Sequence, residues 1–202
     1  MTPPSRINAA LRLLASAAMA TTLVACSGAL STPPTTFDLR APSEVKPARG
    51  ARAQLVVVEP SAVQVLDSDR IVVRPKVGEV SYLSGAQWAD RLPKLVQVRL
   101  IQTFENAKRI GSVGSPDDKL SADATLVTEI RTFEIGVADG AVATVEISAK
   151  LVSESNGRII AANLFRASVP ARGTAGPQAS EALDEALQSV LRGIVGWASA
   201  RV

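Results

Sequence analysis

Between residues 122 and 170 the apolar residues fall into a two-residue period, and no other stretch narrows so far what this chain can fold into. Ala141, Ala143, Val145, Ile147, Ala149 and Leu151 alternate with a set that includes Thr144, Glu146, Ser148 and Lys150. Successive side chains of a strand point to opposite faces, so the pattern describes a half-buried strand. Asp139-Gly140 and Asn156-Gly157 tolerate the positive φ of tight hairpins and divide the segment into an antiparallel meander. One face of such a sheet is apolar and has to be covered by another layer.

The cover is written in a three-to-four-residue period. A first helix is expected at about residues 85–106, where Ser84 and Gln87 have capping-box spacing and Ala89, Leu92, Val96, Leu100 and Phe104 form a stripe. Pro93 has no N–H to donate, so either the regular helix starts with Asp90 as N-cap and Pro93 in its first turn, or it kinks there. A second helix opens near Pro177, a residue suited to the first helical position, and carries Leu183, Leu187, Val190, Leu191, Ile194 and Ala198. Upstream, the continuous apolar run 54–58, stopped by Glu59-Pro60, fits a buried strand. Residues 63–66, 70–74 and 108–113 are expected to add further strands, with turns at 67–70 and 114–118. Aromatics make up 3% of the chain against 47% apolar residues, so the core must be built from Val, Leu, Ile and Ala. The expected architecture is α+β: a single domain over 37–202, with a mainly antiparallel, mixed sheet and two long helices packed on one face.

The N-terminus has a different character. Arg6 and Arg12 precede an apolar run at 13–24, followed by Leu23-Val24-Ala25-Cys26-Ser27-Gly28. That order is a secretory signal, and the run falls short of the roughly 20 residues that span a hydrocarbon core. A cysteine directly after Leu-Val-Ala resembles the lipobox of bacterial lipoproteins, which implies removal of 1–25 and acylation of Cys26. The chain has one cysteine, so it can form no internal disulfide, and thioether attachment to lipid would remove a spare reactive thiol. Several acyl chains on one residue hold durably where a single chain, at ~0.8 kcal/mol per buried methylene, holds only marginally. Residues 27–36, with Pro33-Pro34, have the composition of a stiff leash that completes a lipidated segment over 26–36.

Chemistry has few places to reside. The absence of histidine removes the usual general base and the commonest neutral metal ligand, and Cys26 is committed to lipid. Asp67 with Asp69, and Asp117 with Asp118, sit among turn residues without the spacing of a calcium loop. Gly111-Ser-Val-Gly114 lacks the Lys-Ser/Thr ending of a phosphate loop and is read as a turn. The formal charge of +3 falls to +1 when Arg6 and Arg12 leave with the signal, and no basic run is interleaved with aromatics, so nucleic acid is not an expected partner. No catalytic residue, cofactor or metal is expected. Trp88 and Trp197 lie beside the helical stripes, where packing is one reading; the alternative makes Tyr82 and Trp88 a surface for a partner or lipid.

Asp69-Arg-Ile-Val-Val-Arg-Pro75, Tyr82-Leu83 and Gln87-Trp-Ala-Asp-Arg-Leu-Pro-Lys-Leu-Val96 resemble the ABC-type transport auxiliary lipoproteins that accompany Mce-type lipid transporters. Thr36-Phe-Asp-Leu39 and Arg131-Thr-Phe-Glu134 extend the resemblance over nearly the whole mature chain. It implies a non-enzymatic subunit of a Gram-negative envelope, facing the periplasm and moving phospholipid or sterol-like lipid with its partners. Those partners would be a Mce-domain periplasmic subunit, an ABC permease and its ATPase, with self-association into a homo-oligomer left open. Ser27 after the lipidated cysteine favours the outer membrane. A general outer-membrane assembly or structural lipoprotein is the second reading, and a carboxylate-based periplasmic hydrolase the third.

Overall fold

The computed structural model of the chain describes residues 32–43, 51–138 and 140–202. Its strands are β1 (Thr35–Phe37), β2 (Ala51–Val57), β3 (Ser61–Ala62), β4 (Arg70–Arg74), β5 (Ser81–Trp88), β6 (Ile110–Gly114), β7 (Ala124–Gly136), β8 (Val142–Ser153) and β9 (Ile159–Pro170). Helix α1 (Leu92–Ala107) lies between β5 and β6, and α2 (Gly176–Ser199) ends the chain. Residues 34–202 form one compact unit.

The alternating segment folds as its period requires. β7, β8 and β9 pair antiparallel along their lengths, and Ala143, Val145, Ile147, Ala149 and Leu151 are fully buried on one face. A bulge between Ile130 and Thr132 shifts the phase of β7, so Ile130 and Phe133 both point into the core although they are three residues apart. The β8–β9 turn places Gly157 at φ +68°, and its N–H donates to the Ser153 carbonyl. At the β7–β8 turn Gly140 has φ +105°, while Asp139 lies outside the described residues.

The remainder of the sheet departs from the expected character. Along the other side of β7, β2, β3 and β4 pair in succession, all parallel. β6 adds to β2 in parallel, β5 to β4 antiparallel and β1 to β5 in parallel. The sheet is mixed and, by pairings, largely parallel, with antiparallel geometry confined to β4–β5 and the meander. Alternation reveals the long hairpins, whereas parallel pairs are made by distant returns of the chain that leave no local period. The α+β class and its two helices stand as expected: α2 lies on β8 and β9, α1 on β2 and β6, and the helices touch one another.

Helix α1 starts at Leu92, with Pro93 in its first turn, and Asp90 is not its cap. The N-cap position is Arg91, without a side-chain cap bond, and residues 81–88 form β5 instead of the first helical turns. A proline ring clashes with the carbonyl four residues before it, so Pro93 stops the helix from running back through Ala89. Leu92, Val96, Leu100 and Phe104 are buried as the stripe requires. Residues 63–66 are a turn, not a strand, since the Val63 carbonyl accepts from the N–H groups of Leu66 and Asp67. Gly111 and Gly114 lie in strand β6, not in a turn. Pro177 stands in the first turn of α2, whose buried face includes Leu183, Leu187, Val190, Leu191 and Ile194.

Candidate functional site

The described chain enters the domain as a strap across its two helices. β1 adds to the outer edge of β5, and the Phe37 carbonyl accepts the Ala89 N–H at 2.8 Å. The Phe37 ring lies over Gly176 at the start of α2, where a Cβ would stand 2.9 Å from ring carbon Cε2. Glycine there lets the strap sit down on the helix. Next, both carboxylate oxygens of Asp38 accept from Arg99 on α1 at 2.7 Å, and Leu39 is buried in the core.

Arg40 fixes the strap to the other helix. Its backbone N–H donates to Asp184 Oδ1 at 2.7 Å and its Nε to Oδ2 at 2.8 Å, while Gln188 donates to Oδ2 at 2.9 Å. Asp184 is 2% exposed on the inward face of α2, and these three donors satisfy a carboxylate that would otherwise be costly to bury. Asn106 at the end of α1 donates to the Pro42 carbonyl at 3.0 Å. The eight residues from Thr35 to Pro42 are thus held by strand pairing, a buried leucine and polar bonds to both helices.

The second feature is the β4–β5 hairpin. The β4–β5 register slips between the pairs Arg70/Gln87 and Val72/Tyr82, with Gly85 at φ +67° among the extra residues of β5. Such an irregularity re-aims side chains. Tyr82 is 37% exposed, with the Arg70 guanidinium 4.4 Å above its ring. Trp88, by contrast, is 1% exposed and meets Phe133 edge to face, ring centres 5.8 Å apart. The surface expected from Tyr82 and Trp88 together is therefore corrected: Trp88 is a core residue because the slip turns it inward. Trp197 packs partly buried against Phe165, centroids 5.7 Å apart. Cys26 lies outside the described residues.

One acid of each pair is spent on structure. Asp67 accepts from Arg91 Nε at 2.9 Å, and that partnership, chiefly its hydrogen bond, raises the Arg91 pKa. Asp118 accepts the Ser115 N–H at 2.6 Å and its hydroxyl at 2.9 Å, and these bonds hold its carboxyl below the usual aspartate value. Among the described residues no cluster of three His, Cys, Asp or Glu side chains could hold a metal ion, and no helix is long and apolar enough to cross a membrane. Sequence reasoning missed Asp38, Arg40, Arg99 and Asp184. One signal was present: Asp184 falls within the apolar stripe of α2, beside Leu183 and one turn before Leu187.

The domain is thus gripped at its N-terminal approach, with Asp38 and Asp184 committed to the fastening. The chain belongs to the family of ABC-type transport auxiliary lipoprotein components, which it matches over residues 36–195. That family is one of lipoproteins, which implies a membrane lipid anchor for its members, and of auxiliary components in ABC-type transport. Over 163 residues it is 33% identical to the uncharacterised protein bll6063 of Bradyrhizobium diazoefficiens, a match covering 80% of this chain and 44% of that protein. The chain thus spans less than half the length of that relative. Its fold is similar to the crystal structure of protein XCC0632 from Xanthomonas campestris, with a TM-score of 0.75 and 30% identity over 83% of this chain and 96% of the other. A further crystal structure, of an uncharacterised protein, shares the fold at a TM-score of 0.67 and 14% identity, covering 83% of this chain and 99% of that one.

Proposed function

We propose that the precursor is cut before Cys26 and acylated there, and that residues 37–202 serve as a non-enzymatic, periplasm-facing subunit of a Mce-type lipid transporter at the outer membrane. The domain acts by docking a Mce-domain subunit of a system whose permease and ATPase lie elsewhere in the complex, and cargo of the phospholipid or sterol class passes through that assembly. Family membership supports the transport role. The N-terminal order of arginines, apolar run and Leu-Val-Ala-Cys supports the anchor. The observation that carries the reading is the strap: Asp38 and Arg40, only a dozen residues beyond Cys26, are bonded to both helices. A leash fastened in this way delivers the whole domain, not a loose terminus, to the membrane surface.

Two measurements test this. Cys26→Ala is expected to leave a folded protein that no longer sediments with membranes, and a mutant still sedimenting would sink the anchor. Pull-down of the tagged wild type from native membranes should recover a permease, an ATPase and a Mce-domain protein. Recovery of outer-membrane assembly proteins in their place would support the structural-lipoprotein reading.

A further inference from the structure

We propose that the tip of the β4–β5 hairpin, residues 75–80, rests on the lipid leaflet that holds Cys26, with Val77 and Val80 reaching into the headgroup boundary. The proposal rests on acylation at Cys26. Its first support is the direction in which the strap enters. β1 runs parallel to β5, and β5 runs away from the hairpin tip, so the N-terminal end of β1 is turned toward that tip. The same end of the sheet carries the β7–β8 turn and the end of β9: the Val137 N–H donates to the Arg74 carbonyl and the Ala171 N–H to the Ala141 carbonyl. The opposite end carries the β8–β9 turn at residues 154–158 and the loop that precedes β7.

The second support is length. Thr36 is level with Gln87, and Gln87 with Arg70, so height along the domain can be counted up β4. The four steps from Arg70 to Arg74 rise about 13 Å, and the turn through Val77 adds at most about 10 Å, placing the tip roughly 20 Å beyond Thr36. The ten steps from Cys26 to Thr36 reach about 33 Å when fully extended, and about 17 Å root-mean-square if flexible. A leash of about 33 Å at most beside a protrusion of about 20 Å keeps the tip of an upright domain no more than about 13 Å from its leaflet, and a less extended leash brings it into contact.

The third support is what the tip presents. Val77 is fully exposed, Val80 is 41% exposed, and Lys76 beside them can meet lipid phosphates. An apolar residue standing wholly in water at a turn packs against nothing in its own domain. The neighbouring Tyr82 is an amphipathic ring of the kind enriched at membrane interfaces.

The test uses the protein expressed from the full chain in a Gram-negative host and carrying Val77→Cys, reconstituted into vesicles of phosphatidylethanolamine and phosphatidylglycerol, with Ser155→Cys at the far end as control. Both positions are exposed turn residues, so the fold should tolerate either change. Reaction of the new thiol with an aqueous maleimide is expected to slow roughly tenfold at 77 on moving from detergent to vesicles, because the thiolate is the reactive form and apolar surroundings disfavour it. The rate at 155 should not change. Equal rates at 77 in detergent and vesicles, in protein that floats with the vesicles, would overturn the tip contact and leave the anchor standing. Protein that fails to float refutes acylation at Cys26, and the tip contact falls with it.

Discussion

Replacing Asp184 by alanine probes the strap directly. The buried carboxylate accepts the Arg40 backbone N–H, the Arg40 guanidinium and the Gln188 amide. A hydrogen bond to a charged acceptor contributes about 1.5–3 kcal/mol, and the backbone N–H of Arg40 loses one outright. The guanidinium is 72% exposed, so its share is close to that of a surface ion pair, about 0.5 kcal/mol. Relief from burying a carboxylate and the better helix propensity of alanine give part of this back, leaving a net loss of about 2 kcal/mol. For a domain of this size that corresponds to a urea midpoint lower by about 1 M and a Tm lower by about 5 °C. Equilibrium urea unfolding followed by tryptophan fluorescence measures it, because Trp88 and Trp197 both lie in or against the core. Glu185→Ala, one residue along on the exposed face, should stay within about 0.5 kcal/mol of wild type. A cycle with Arg40→Ala should give a coupling of about 1 kcal/mol. If Asp184→Ala matches Glu185→Ala, or the cycle shows no coupling, the carboxylate does not hold the strap.

Trp88→Ala should cost about 3–5 kcal/mol in the same assay, as removal of a fully buried aromatic does; a loss below about 0.5 kcal/mol would restore the surface reading of this residue. Gly176→Ala should cost about 1–2 kcal/mol by pushing on the Phe37 ring, and a Phe37→Ala background should abolish most of that loss; a penalty unchanged in that background would argue against the contact. The Asp118 carboxyl titrates below its unfolded value, so its hold on Ser115 is complete above the ordinary aspartate range and is lost as pH falls through the lowered folded pKa. The protection of the Ser115 amide, its intrinsic exchange rate divided by the observed one, should therefore fall in acid, an effect missing in Asp118→Asn.

Strands β4, β8 and β2 and helix α2 were legible because each pattern is local: a run of β-branched residues, a two-residue period or a helical stripe opened by proline. β5 was not, since Ser84 and Gln87 mimic a helix start while the slip at Gly85 hides its alternation. Tyr82 and Trp88 share a parity in the sequence and would share a face of a regular strand; that same slip separates them. The strap was illegible for a different reason. Arg40 and Asp184 are 144 residues apart, and no local pattern encodes such a pair. Only the acid within the apolar stripe of α2 hinted that something polar had to come to meet it. Parallel pairing was hidden likewise, because β4 meets β7 only after the chain has passed through β5, α1 and β6.

The parallel pairing of β1 with β5 has a mechanical consequence. Tension transmitted into Thr35 along the strand axis would strain the β1–β5 bonds together, in shear, not peel them off in sequence. Behind them Asp38 and Arg40 hold on different helices, so slippage of the strand transfers load to α1 and α2 in turn. A fastening of this design resists most in the direction from which a lipid tether would tug, and it yields most readily to a sideways pull.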